Sequence, residues 1–298
     1  MATLPAARFG RVLTAMITPF DSDGRIDLDG AQQLARWLVD HGSDGLVVNG
    51  TTGESPTLSS AESIDLFRAV RQAVDAPVVA GTGSNDTAHA IRQSEAAAGI
   101  GVDGLLVVAP YYNKPSQAGL DQHFRMIAAA TDLPIILYDI PGRTGRKVDT
   151  DTIVRLAREV PSIVAVKDAA GSPGETSVLV AAAPDDFAVY SGDDNLTLPL
   201  LAVGVRGTIS VASHWAGEHI HAMFDAFDAG DVAEARRINQ RLLTSYAFES
   251  TLDAPNPVPT KAMLRSLGLP AGECRPPMGP TPAGLEVEAK ELWDSLQD

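Results

Sequence analysis

Of the five lysines in this 298-residue chain, Lys167 alone interrupts a continuous apolar run, IVAVKDA (163 to 169). Lysine is seldom fully buried unless it is paired or functional. Either it snorkels from a strand end to solvent or pairs with Asp168, or it is an amine whose pKa is lowered by an apolar surrounding until it can attack a carbonyl. The second chemistry, Schiff-base formation, needs hydroxyls that move protons to and from a carbinolamine, and Tyr138 and Thr51 could supply them. Tyr138 could equally be an aromatic that fills space.

Two further segments offer anion binding. NGTTGES (49 to 55) combines backbone N–H groups and two hydroxyls on a glycine-flexible turn, either a carboxylate cradle or a plain turn leading to a helix capped at Ser59. Arg143, in YDIPGRTG (138 to 145), is either a bidentate clamp for a second carboxylate or an exposed loop arginine. GIGVDG (99 to 104) matches a dinucleotide pattern but follows a helix and precedes a strand, the reverse of what pyrophosphate binding requires. His214, His219 and His221 share no helical face and read as polar surface. There is no GxSxG elbow. SGDDN (191 to 195) bears two carboxylates where many barrels hold phosphate, which disfavours sugar phosphates.

The elements that must position these residues are eight short β-branched-rich runs, at 12–18, 45–50, 77–82, 104–110, 134–140, 163–169, 187–192 and 207–213, alternating with segments of helical period such as 60–74. Ser59 and Glu62 have capping-box spacing. Eight βα units in about 215 residues predict an α/β fold, a closed TIM (β/α)8 barrel over 1–230 rather than an open sheet. Helical patterns at 231–248, 260–268 and 285–296 predict a C-terminal helical extension over 231–298. In such a barrel the carboxyl ends of the strands build the site. They carry Thr51 and Thr52, Tyr111 and Tyr112, Tyr138 and Arg143, Lys167, and Gly192 with Asp193.

Composition limits the partners. A formal net charge of -15 repels phosphate backbones and anionic lipid, so neither nucleic acid nor membrane is expected. A single cysteine, Cys274, excludes an internal disulfide and any multi-cysteine metal site. No signal-like N-terminal run or membrane-length apolar stretch is evident, so the expected location is cytoplasmic.

Together GTTGES (50 to 55), AGTGSN (80 to 85), PYYNKPSQAGL (110 to 120), YDIPGRTG, VKDAAG (166 to 171), SGDD and GTISV (207 to 211) resemble the pyruvate-dependent class I aldolase superfamily of N-acetylneuraminate lyase, and within it the dihydrodipicolinate synthases. The resemblance spans essentially the whole chain. It implies condensation of pyruvate with L-aspartate 4-semialdehyde, with Lys167 as the Schiff-base lysine and Tyr138 as general acid/base. Thr51 and Tyr112 complete a proton relay, the tyrosine coming from a neighbouring subunit. Thr52 holds the pyruvate carboxylate, Arg143 the semialdehyde carboxylate, and Gly192 and Ile209 supply backbone near the substrate. No metal or organic cofactor is implied, and the assembly is a homotetramer, a dimer of dimers. Asp139 and Gly142 depart from the YNVPSRT of many relatives, which bears on the second carboxylate clamp. Ser60 and His89 lack the glutamate that binds lysine in feedback-inhibited members, so weak or absent lysine inhibition is expected. A sialic-acid or 2-keto-3-deoxy-sugar-acid lyase is the alternative within the superfamily, and a catalytically silent carboxylate-binding barrel the alternative outside it.

Overall fold

The apolar runs fold into eight strands: β1 (Val12–Ala15), β2 (Gly45–Val48), β3 (Val78–Gly81), β4 (Gly104–Val108), β5 (Ile135–Asp139), β6 (Ile163–Asp168), β7 (Ala188–Ser191) and β8 (Gly207–Ser210). In the computed structural model, which describes residues 7–297, they close a barrel in chain order. Every strand ends short of its apolar run. Asn49, directly after β2, already has φ 62.

The helices are α1 (Leu28–Asp40), α2 (Ser60–Ala73), α3 (Thr87–Ile100), α4 (Gln117–Ala128), α5 (Pro141–Thr144), α6 (Thr150–Glu159), α7 (Pro173–Ala182), α8 (Thr197–Leu201), α9 (Ser213–Asp228), α10 (Val232–Phe248), α11 (Val258–Ser266) and α12 (Leu285–Gln297). None is long and apolar enough to cross a membrane among the described residues. The Ser59/Glu62 capping box forms at the start of α2. Contacts between residues gather into two compact units, one containing 79–209 and the other 12–78 with 210–297.

In the first unit, β4 to β8 pair in parallel with registers that align Val108, Tyr138, Lys167 and Tyr190 across successive strands. Helix α4 buries Leu120, Phe124 and Ile127, at i, i+4 and i+7, and is capped by the Ser116 hydroxyl, which accepts from the Gly119 amide.

In the second unit, α9 packs on α10 through Trp215, whose ring meets Phe248 edge-on at 6.0 Å while its Nε1 donates to Ser245 Oγ at 3.1 Å. Helix α11 starts and stops two residues earlier than its sequence pattern predicts. Its early start suits Pro259, which the first turn tolerates because its missing N–H has no helical partner there. His214 corrects the expectation of a polar surface histidine. It is wholly buried, its Nε2 accepts from the Ile17 amide at 3.1 Å, and its Nδ1 donates to the Val211 carbonyl at 2.8 Å. Both ring nitrogens are thereby satisfied as a neutral imidazole, which makes burial affordable.

At the start of β8, a Cβ on Gly207 would lie 2.5 Å from the Arg11 carbonyl and 2.8 Å from the Tyr190 ring. That carbonyl also accepts from the Thr208 amide at 2.7 Å, so it cannot retreat freely. Gly207→Ala is therefore expected to lower the unfolding free energy by about 1–3 kcal/mol, read as an earlier denaturant midpoint.

Candidate active site

Lys167 sits one residue from the end of β6, and successive side chains on a strand face opposite ways, so it and Asp168 part company. Asp168 accepts from the Ala170 amide at 3.0 Å and from Thr176 Oγ1 at 2.6 Å. The lysine is only 5% exposed, so it does not snorkel to water. Its Nζ lies 4.5 Å from the centre of the Tyr138 ring, on the register partner in β5. Tyr138 is itself buried.

Gly192, just past β7, packs closely against Ala169 and the stem of this lysine. A Cβ there would stand 2.8 Å from Ala169 Cβ and 3.0 Å from Lys167 Cε. Its amide donates to the Asp168 carbonyl at 2.8 Å, which holds the backbone against the lysine stem. Burial pushes the neighbouring Asp193 carboxyl up, against the pull of Lys167. Ile209 is fully buried on β8. A phenol, an amine and a glycine backbone are therefore gathered at the ends of β5, β6 and β7.

Arg143 lies in the single turn α5, whose C-cap Gly145 has φ 70, and its side chain is exposed. The loop that carries it is tied down beneath. Asp139, buried at the end of β5, accepts from the Val148 amide at 3.0 Å and faces Lys147 Nζ at 3.4 Å; Lys147 also reaches Glu175 at 3.3 Å. Burial pushes the Asp139 carboxyl up to about 6, against Val148 and Lys147, which pull it down. Thus Asp139 shapes the arginine loop from below. A Cβ on Gly142 would meet nothing within 4 Å, so packing does not demand glycine there.

Tyr112 follows β4 with φ 72 and is 89% exposed, an unusual backbone for an aromatic residue. The first unit offers no enclosure for its ring.

In the second unit, Thr51 and Thr52 occupy a loop bracketed by two left-handed non-glycine residues, Asn49 (φ 62) and Glu54 (φ 57). Such conformations cost about 1–3 kcal/mol each and persist only where surroundings over-determine them. Here they do. Thr18 Oγ1 donates to the Gly53 carbonyl at 2.6 Å, and Glu54 accepts from the Arg275 amide at 2.8 Å. Glu54 also pairs with Lys261 Nζ at 2.7 Å, the two side chains being 2% and 0% exposed. Lys261 lies 4.0 Å over the Phe20 ring and donates to the Glu273 carbonyl at 3.2 Å. Thr52 is buried, and its Oγ1 accepts from Asn256 Nδ2 at 3.0 Å.

Glu54, Lys261 and Asn256 are the loop-supporting residues that sequence reasoning passed over, while Asp139 was singled out without its partners Val148 and Lys147. The one available signal was the pair of charges Glu54 and Lys261 in otherwise uncharged stretches, but their partnership spans more than 200 positions. No group of three or more His, Cys, Asp or Glu side chains suited to a metal occurs among the described residues.

The profile of the dihydrodipicolinate synthetase family matches residues 8–293. The 4-hydroxy-tetrahydrodipicolinate synthase of Moorella thermoacetica is 57% identical over 286 residues, covering 95% of this chain and 96% of its own. Synthase 2 of Streptomyces coelicolor is 54% identical, covering 95% and 94%. Among solved structures, the enzyme of Cyanidioschyzon merolae with lysine bound superposes with a TM-score of 0.94 at 44% identity, covering 97% of this chain and 98% of that one. Dihydrodipicolinate synthase from Bacillus anthracis gives 0.92 at 45% identity, covering 96% and 98%.

The Asp139 carboxyl carries a testable consequence. Its folded-state pKa is raised, so its proton-linked stabilisation is complete below the unfolded value of about 3.8 and is lost as the pH rises through about 6. Asp139→Asn removes that loss. Relative to the parent, the variant should gain about 2 kcal/mol between pH 4 and pH 7, read from denaturant unfolding at both. Parallel pH profiles for the two proteins would refute the assignment.

Proposed function

The chain belongs to the dihydrodipicolinate synthetase family, and on that footing we propose that it condenses pyruvate with L-aspartate 4-semialdehyde through a Schiff base on Lys167, yielding 4-hydroxy-tetrahydrodipicolinate. It is an enzyme of the lyase class. The observation that carries the assignment to Lys167 is a buried amine 4.5 Å from the face of a buried phenol, with Gly192 packed close to the lysine stem.

The amine adds to C2 of pyruvate, and the carbinolamine loses water to become an imine, Tyr138 donating the proton that the leaving hydroxyl needs. Tyr138, deprotonated by that step, takes a C3 proton and the imine becomes an enamine. Its carbon then bonds to the aldehyde carbon of the semialdehyde, whose oxygen takes up a proton. The product's own amine displaces the lysine nitrogen, which closes the ring and frees Lys167.

Thr51 and Tyr112 pass protons between Tyr138 and solvent in this reading. Thr52 holds the pyruvate carboxylate, Arg143 the semialdehyde carboxylate, and Gly192 and Ile209 lend backbone near the substrate. An exposed guanidinium on a fastened loop suits recognition of an incoming carboxylate. Tyr112 supports an assembled enzyme, because a strained aromatic projecting from its own subunit fits a role in a neighbour's site. The assembly in this reading is a homotetramer arranged as a dimer of dimers, acting in the cytoplasm without cofactor or metal.

Borohydride reduction with pyruvate, followed by mass spectrometry, should place a single adduct on Lys167 and none in Lys167→Ala. Adducts elsewhere, or none in the parent protein, would overturn the assignment. Tyr138→Phe should still bind pyruvate but form the imine about 10² to 10⁴-fold more slowly, measured by quenched trapping.

A further inference from the structure

A carboxylate brings only acceptors to a binding site, so a hydroxyl can hold it only by donating its proton. Thr52 has one proton and two acceptor positions. Its Oγ1 already accepts from Asn256 Nδ2 at 3.0 Å, and both residues are buried, at 3% and 7% exposure. While that amide donates, the threonine proton cannot be spent on Asn256 and stays available to a ligand.

The arrangement is held from several sides. The asparagine backbone amide donates to Ser250 Oγ at 3.2 Å, and the turn before it is closed by Thr251 and Ala254, whose backbone amides donate to the Ala254 carbonyl and to Thr251 Oγ1. On the other side the threonine loop is pinned by Thr18 and by the buried Glu54–Lys261 pair. The Asn256 Oδ1 is buried and meets no hydrogen-bond donor.

We propose that Asn256 is a positioning residue for the reaction: by donating to Thr52 Oγ1 it commits the threonine proton to the pyruvate carboxylate. The inference rests on the assignment of Thr52 to that carboxylate. Asn256 therefore acts on pyruvate capture through Thr52, and leaves recognition of the second substrate unchanged.

The test is a double-mutant cycle on the full-length protein with Asn256→Ala, Thr52→Val and both together, scored by the pyruvate concentration that half-saturates borohydride trapping at Lys167. Asn256→Ala should raise that concentration about tenfold in the parent and have no further effect beside Thr52→Val, while KM for the semialdehyde stays within about twofold. Equal effects in both backgrounds, or a matching rise in the semialdehyde KM, would overturn the role of Asn256 while leaving the Schiff base intact. Failure of the parent protein to trap pyruvate at all would overturn both. Asn256→Asp, nearly isosteric, covers the case in which the alanine variant does not fold. Its ionised carboxylate captures the threonine proton, so half-saturation should rise more than tenfold at pH 8 and recover as that carboxyl is protonated and donates again. A pH-independent effect would count against the proposal.

Discussion

An amine placed where water scarcely reaches is the constraint around which the first unit is organised. Lys167 is 5% exposed, and the groups packed around it leave room for its stem. Asp168 is turned away to Ala170 and Thr176, Gly192 gives up a side chain, and Tyr138 offers a ring face. A larger residue at 192 or a freely rotating aspartate at 168 would each change what the amine can do.

The second buried lysine follows the opposite logic. Lys261 is wholly enclosed and meets a carboxylate at 2.7 Å, with an aromatic ring and a carbonyl completing its surroundings. Breaking such a pair leaves an uncompensated charge in the interior, which makes it a rigid fastening rather than a reagent. It fixes the loop of Thr51 and Thr52 in a conformation that two non-glycine residues adopt at a cost. The same side chain is the proposed nucleophile in one unit and an ion-paired anchor in the other.

Loop geometry after β5 rests on a buried carboxylate. Asp139 faces Lys147 while the Val148 amide, donating to it, keeps the loop closed. Arg143 is thereby presented outward from a fastened base. Gly142, with open space around it, alters little in the packing.

Much of this was legible in the chain itself, since the eight strands follow from short β-branched apolar runs, the start of α2 from Ser59 and Glu62, and Lys167 from the lone cation in an apolar run. These are local properties, set by side-chain periodicity and by hydrogen bonds within a few residues. Other features lay beyond any local reading. His214 becomes an internal residue because Ile17, nearly 200 positions away, supplies its donor. Strand ends, the enclosure of Glu54 by Lys261 and Arg275, and the contact of Asn256 with Thr52 were likewise decided only when distant segments met. A buried polar group is tolerated only beside its partner, and the identity of that partner is a fact of tertiary structure.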